Sequence, residues 1–300
     1  MFDVTVQNFR CFICFIVYTS LVPIASSASE QVEFFGKIKS YADLADAAYL
    51  PEQDVQTIVE AQGYKLDQYS SVPGVEVNYF IATSEVLKQH VISVRGTANV
   101  ENAIVDVSLK LLPDEHANIK LHQGFAQAAE GVYKAMLSKL NKDYEISVTG
   151  HSLGGAVAVI LAMYLDIDQY TLGSIITFGQ PKVTNVSGTQ EFRHLDVIRV
   201  VTAQDLVPLV PPLDVMDIRK LDIYWHLGKE IVLLEGREYA ELQGIKSMMR
   251  ATKVINTRFS QENLAHHKMV GYLESVKHKV DEPNLVVYDT DIDLLKLFGR

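Results

Sequence analysis

Cysteine is nearly absent. The chain has two in 300 residues, Cys11 and Cys14, and both fall in the apolar run "CFICFIVYTSLVPIA" at 11–25. If that run is removed on export, no disulfide and no thiol nucleophile remains, and the chain must be held by its core, which this length permits. Basic runs are absent as well. Lys and Arg number 27 against 37 Asp and Glu, a net charge of −10. That argues against a binder of nucleic-acid phosphates and against polybasic attachment to anionic membranes. No internal repeat, low-complexity tract or Gly/Ser-rich linker divides the sequence, so one domain over 29–300 is the simplest organisation.

The 11–25 run follows Arg10 and precedes the small residues 26–29. It is short for a membrane span, which needs about 20 apolar residues. Its pattern is that of a secretory signal covering 1–28, with cleavage near Ala28. Because Asp3 offsets Arg10, an uncleaved N-terminal anchor is the alternative.

Hydrophobic periodicity orders the rest. "YADLADAAYL" (41–50) has helical spacing, with Leu44, Ala47 and Ala48 on one side, and Pro51 stops it. "VEVNYFIATS" (75–84) alternates like a half-buried strand, and "HVISVRGT" (90–97) is a second strand. Residues 125–140 are helical in period. "SIITFGQP" (174–181) and "DVIRVVTA" (196–203) are continuous apolar runs of buried-strand type. A hairpin strand is read in 224–236, and a mostly helical pattern in 239–255, whose Met248 and Met249 are packing residues. Strands alternating with helices predict an α/β fold with a largely parallel central sheet flanked by helices.

At "YEISVTGHSLGGAVAVILAMYL" (144–165) a strand pattern passes into a small-residue helix, and Gly150-His151-Ser152-Leu153-Gly154 fits G-x-S-x-G at the joint. A nucleophile there sits on a sharp turn where larger neighbours would collide with strand or helix. The helix start offers free N–H groups, and that of Leu153 is placed to stabilise an oxyanion. An ordinary turn is the plain alternative. Serine needs a base, and the base needs a carboxylate; on such a fold they follow in the order Ser, Asp or Glu, His. Asp205 comes just beyond the buried run ending at Ala203, where the acid belongs. Asp166 and Asp168 lie at a helix end, and Asp214 and Asp217 in a less constrained loop. For the base, His226 reads as structural and His278 as exposed. Spacing alone does not separate the adjacent His266 and His267. A metal site at that pair is disfavoured, since adjacent histidines rarely converge on one ion.

The full set of motifs resembles the class 3 lipase family, the fungal-type triacylglycerol lipases and esterases of α/β-hydrolase fold. "SYADLADAAYL", "VISVRGT", "LHQGF" (121–125), "VTGHSLGGA", "ITFGQPKVTN", "VIRVVTAQDLVPLVPP", "YWHLGKEI" and "HHKMVGYL" occur in family order over nearly the whole chain. The resemblance implies Ser152 as nucleophile, Asp205 as acid and His267 as base, two positions before Met269 and five before Tyr272. It implies Thr97 and Leu153 as oxyanion donors and a lid over 98–113. Within that lid Val100, Ile104, Val107 and Leu111 share one helical face, although from Val105 the pattern also alternates like a strand. The sequence departs from the family at Ala103, where a tryptophan is usual, and at Thr184, where a glycine is usual in what is expected to be a loop.

The signal pattern and the resemblance together imply an exported serine hydrolase that cleaves carboxylic esters of acyl lipids through an acyl-enzyme, with a lipid–water interface as a place of action. No metal or organic cofactor is implied, no nucleic acid and no obligatory protein partner. The alternatives are an esterase or phospholipase of the same fold, and a lipase-like binding protein without catalysis.

Overall fold

The structure, a computed structural model, describes residues 28–74, 77–96, 110–211, 222–252 and 264–288. The signal residues 1–27 and the lid residues Val100, Ile104 and Val107 lie outside them. In chain order the first elements are helices α1 (Ala28–Ala47) and α2 (Glu52–Ala61) and strands β1 (Lys65–Val72), β2 (Val77–Ser84) and β3 (Gln89–Val94). Then come β4 (Leu111–Asp114), β5 (Ile119–His122), α3 (Gln123–Met136), β6 (Glu145–His151), α4 (Leu153–Ile167) and β7 (Leu172–Phe178). The last are β8 (Thr184–Asn185), α5 (Val186–Glu191), β9 (Val197–Thr202), β10 (Tyr224–Trp225), β11 (Lys229–Leu233), β12 (Glu238–Gln243), α6 (Ile245–Thr252), α7 (Met269–Lys277) and β13 (Asn284–Leu285).

Among the described residues the central sheet has nine strands in the order β1-β2-β3-β6-β7-β9-β11-β12-β13. The run from β3 to β11 is parallel throughout, and β1, β2 and β12 join antiparallel. Residues of the central strands alternate between two covered faces. Ile175 points to the face held by α3 and α4, with Ile146, Val148 and Val197. Ile176 and Phe178 point to the other, where α1 and α7 lay down Phe35, Ile38, Ala42, Met269 and Tyr272. A small antiparallel sheet, β10-β8-β5-β4, stands apart from the nine strands.

Several sequence expectations change on this scaffold. The helix expected over 41–50 ends at Ala47, before a turn at 48–50, and Pro51 is the N-cap of α2, whose Glu52 and Asp54 suit the positive end of a helix. β2 is buried on both sides rather than half-buried, because Tyr79 and Ile81 enter one core cluster and Phe80 and Ala82 another. Leu111, placed above on a helical lid face, begins β4 opposite His122. The alternating pattern prevails there, and Pro113 would obstruct a helix interior. Residues 239–243, read as helical, form β12 against β11, and the helix starts only at Ile245, after Gly244 with φ +57°. Thr184 is not in a loop. It lies buried in β8, with its hydroxyl donating to Lys120 O at 2.6 Å. Met248 is buried, as a packing residue should be. No helix among the described residues is long and apolar enough to cross a membrane.

The apolar face of α1 repeats at Phe35, Ile38, Ala42 and Ala45, all fully buried, and Phe35 meets Tyr239 edge-on at 4.7 Å between ring centroids. This helix therefore belongs to the core. Phe35→Ala should cost about 3–5 kcal/mol in urea unfolding; a loss under about 1 kcal/mol would mean that α1 is only loosely docked.

Candidate active site

Gly150 and Gly154 bracket Ser152 because two backbones meet there. A Cβ on Gly154 would lie 2.1 Å from Val94 O of β3, and one on Gly150 would lie 2.5 Å from the Gly154 carbonyl. Only glycine lets α4 begin this close to the sheet. Ser152 takes the strain of the turn, with φ +60° and ψ −130°. That conformation is costly for a residue with a side chain and holds only where the surroundings enforce it. Here the Ser152 N–H donates to Phe178 O at 2.9 Å, and the Ala156 N–H donates to Ser152 O at 3.2 Å. Leu153 is the first residue of α4, so its N–H has no acceptor within the helix.

Asp205 follows β9 after a two-residue turn and is fully buried. Its carboxylate accepts three hydrogen bonds. His267 Nδ1–H donates to Oδ2 at 2.7 Å, Tyr272 Oη–H to the same oxygen at 2.5 Å, and the Val207 N–H to Oδ1 at 2.9 Å. Burial, and then the Asp205 charge, raise the Tyr272 phenol well above its ordinary value, so it stays a donor. With Nδ1 carrying the proton, the buried Nε2 of His267 keeps its lone pair and has no hydrogen-bond partner. His266 is solvent-exposed. The structure separates the two histidines that spacing could not.

The remaining candidates go elsewhere. Asp168 caps the end of α4 and bonds Tyr133 and His116, while Asp166 pairs with His194. His226 lies between β10 and β11 rather than within a strand, with Nε2 2.6 Å from Pro208 O, and His278 is exposed. Thr97, Asp214 and Asp217 lie outside the described residues. Among the described residues no group of three or more His, Cys, Asp or Glu is arranged to hold a metal ion.

Two residues of the site escaped the sequence reading. His151, the variable position of G-x-S-x-G, is buried with its ring centroid 4.6 Å from that of His267. Its Nε2–H donates to the His267 carbonyl at 2.7 Å, leaving Nδ1 to accept from Tyr49 Oη–H at 2.8 Å. The Tyr49 oxygen also accepts from the Gly96 N–H. One hydroxyl thus joins the turn after β3, the strand end before Ser152 and, through His151, the backbone of His267. Nothing in the periodicity of "YADLADAAYL" marks Tyr49 for this. Burial first, and His267 second, hold His151 well below the usual histidine range, and burial raises the Tyr49 phenol.

Residues 91–215 match the family model of the class 3 lipases, described as "Lipase (class 3)". A protein from Fusarium solani named secreted mono- and diacylglycerol lipase 1 is 35% identical over 150 residues, which are 46% of this chain and 44% of that protein. A lipase from Rhizopus microsporus var. chinensis superposes with a TM-score of 0.56 at 26% identity, over 69% of this chain and 76% of that one. A triacylglycerol lipase described as having a serine-protease triad at its catalytic centre gives a TM-score of 0.64 at 21% identity, over 80% and 94%. The fold is that of the α/β-hydrolase lipases. The matches span less than half the length of the curated relatives.

Buried histidines make stability depend on pH. Burial lowers His122 to about 4. Between about 6.5 and 4 the unfolded chain takes up a proton that the folded chain refuses, so stability present at pH 7 is lost on acidification, by up to about 1.4 kcal/mol per pH unit. His122→Asn keeps an acceptor for the Phe125 N–H that His122 Nδ1 now binds. It should make the loss between pH 6.5 and 5, read from urea midpoints, shallower than in the parent. An unchanged slope would contradict this account of His122.

Proposed function

The chain belongs to the class 3 lipase family, and on that premise we propose that it is a serine hydrolase of acyl-lipid esters working through an acyl-enzyme. Ser152 Oγ attacks the acyl carbonyl carbon while His267 Nε2 takes its proton. The oxyanion accepts from the N–H groups of Leu153 and Thr97. His267 returns the proton to the leaving alcohol, and water, activated by the same nitrogen, releases the acid. Asp205 holds the imidazole tautomer and stabilises its charged form. The observation that supports this best is the buried His267, whose Nδ1 is engaged by Asp205 at 2.7 Å, whose Nε2 is unpartnered, and whose ring lies 4.6 Å from that of His151, the residue before the strained Ser152.

The substrate class follows the names of the relatives, which include mono-, di- and triacylglycerol lipases. Export with cleavage near Ala28 is part of the proposal, supported by a relative named as secreted. Such cleavage would leave the buried face of α1, from Phe35 onward, intact.

Ser152→Ala and His267→Ala should each lower kcat on a soluble p-nitrophenyl ester by about 10⁴-fold, with the fold retained, and the double variant should be little worse than either single one. Additive losses, or an active His267→Ala, would overturn the assignment. A matched panel of soluble esters and emulsified acylglycerols then reads the substrate class. Turnover of soluble esters alone would make the protein an esterase rather than a lipase.

A further inference from the structure

Beyond Asp205 and the Phe178 carbonyl that holds the Ser152 N–H, three of the sequence motifs have no part in the proposed chemistry: residues 176–185, 197–212 and 224–231. They meet in one place. A single 3-10 turn, Val207–Leu209, follows Asp205. Its bonds, Leu209 N–H to Leu206 O and Val210 N–H to Val207 O, leave the carbonyls of 208–211 without partners inside the turn. All four are occupied from outside it. His226 Nε2–H donates to Pro208 O at 2.6 Å. Lys182 Nζ donates to Leu209 O, and to Pro211 O at 2.8 Å, and the Lys182 backbone N–H donates to Val210 O at 2.9 Å.

Lys182 is fully buried, and the nearby carboxylate is taken: Glu230 accepts from Arg250 and Ser247. The Nζ donors of the lysine are thus spent on main-chain oxygens at the end of a turn. The N-terminal end of the same turn is held by Asp205, whose Oδ1 accepts from the Val207 N–H while Oδ2 accepts from His267 and Tyr272. A shift of the turn would therefore rotate the carboxylate away from the imidazole.

We propose that Lys182, together with His226, is a positioning residue for the acid: the pair pins the turn whose Val207 N–H aims the Asp205 carboxylate at His267. This rests on the reading of Asp205 and His267 as acid and base. It gives the three motifs a common purpose, since one supplies the clamp, one the clamped carbonyls and one the second donor.

Lys182→Met keeps most of the side-chain volume and removes both Nζ hydrogen bonds. On a soluble ester its kcat should fall about tenfold or more with KM within about threefold, as expected for a displacement of less than about 1 Å at a catalytic group. The acid limb of kcat/KM should move to lower pH, because a displaced carboxylate supports the imidazolium less, and the downfield proton resonance of His267 Nδ1 should shift or vanish. His226→Leu should give a smaller change of the same kind, and His226→Gln, which restores a donor, should recover most of it. Val59→Ala, in a core cluster away from the site, serves as the control for lost stability and should keep the parent kcat and acid limb. If Lys182→Met and His226→Leu lose thermal stability but match Val59→Ala in kcat, acid limb and resonance, both residues are structural and the proposal falls. If Lys182→Met does not fold, the His226 pair decides by the same readouts. A parent enzyme that hydrolyses no ester overturns the proposed function itself, before any variant is compared, and this proposal with it.

Discussion

The carboxylate of Asp205 has no contact with solvent. Removing such a charge from water costs several kcal/mol unless donors replace the lost hydration. Here the donors come from three places: the loop before α7 with His267, the first turn of α7 with Tyr272, and the turn after β9 with Val207. Each of these must be in place together. α7 is held by packing Met269, Tyr272 and Val276 on Phe35 and Ile38 of α1 and on the sheet. The burial of one charge thus ties the packing of the N-terminal helix to the geometry of His267, and a chain that lost α1 would lose the support of the Asp205 carboxylate as well.

A second link runs through Tyr49 and His151. Tyr49 lies just beyond the end of α1, and its hydroxyl reaches both the Gly96 N–H and the His151 ring, whose other nitrogen holds the His267 carbonyl. His267 is therefore fixed from two sides, through its ring by Asp205 and through its backbone by His151. The role proposed for His267 needs such restraint, because an unpartnered buried nitrogen does nothing to orient its own ring.

The parts of this arrangement that the sequence revealed are those with a local cause. Gly150 and Gly154 are legible because a sharp strand-to-helix joint tolerates no side chain beside the serine, and the 2.1 Å approach at Gly154 bears that out. Asp205 is legible from its position beyond a continuous buried run. The choice between His266 and His267 was not, since it depends on which ring the turn before α7 buries; only the resemblance favoured His267. Tyr49, His151 and Lys182 were missed because their roles come from contacts more than 25 residues away in the chain, with no periodic signature. Residues 239–243 were misread because pairing with β11 outweighed a helical pattern, and Leu111 because alternation outweighed the 3.6-residue period.

The central claim is that Ser152 is a nucleophile activated by His267. The most direct measurement is mass spectrometry of the protein after treatment with a fluorophosphonate, which reacts with activated serines. The account predicts one stoichiometric adduct, on Ser152, and labelling that becomes slower by orders of magnitude in His267→Ala while His266→Ala labels like the parent. No adduct on Ser152, or equal labelling in the parent and His267→Ala, would contradict it.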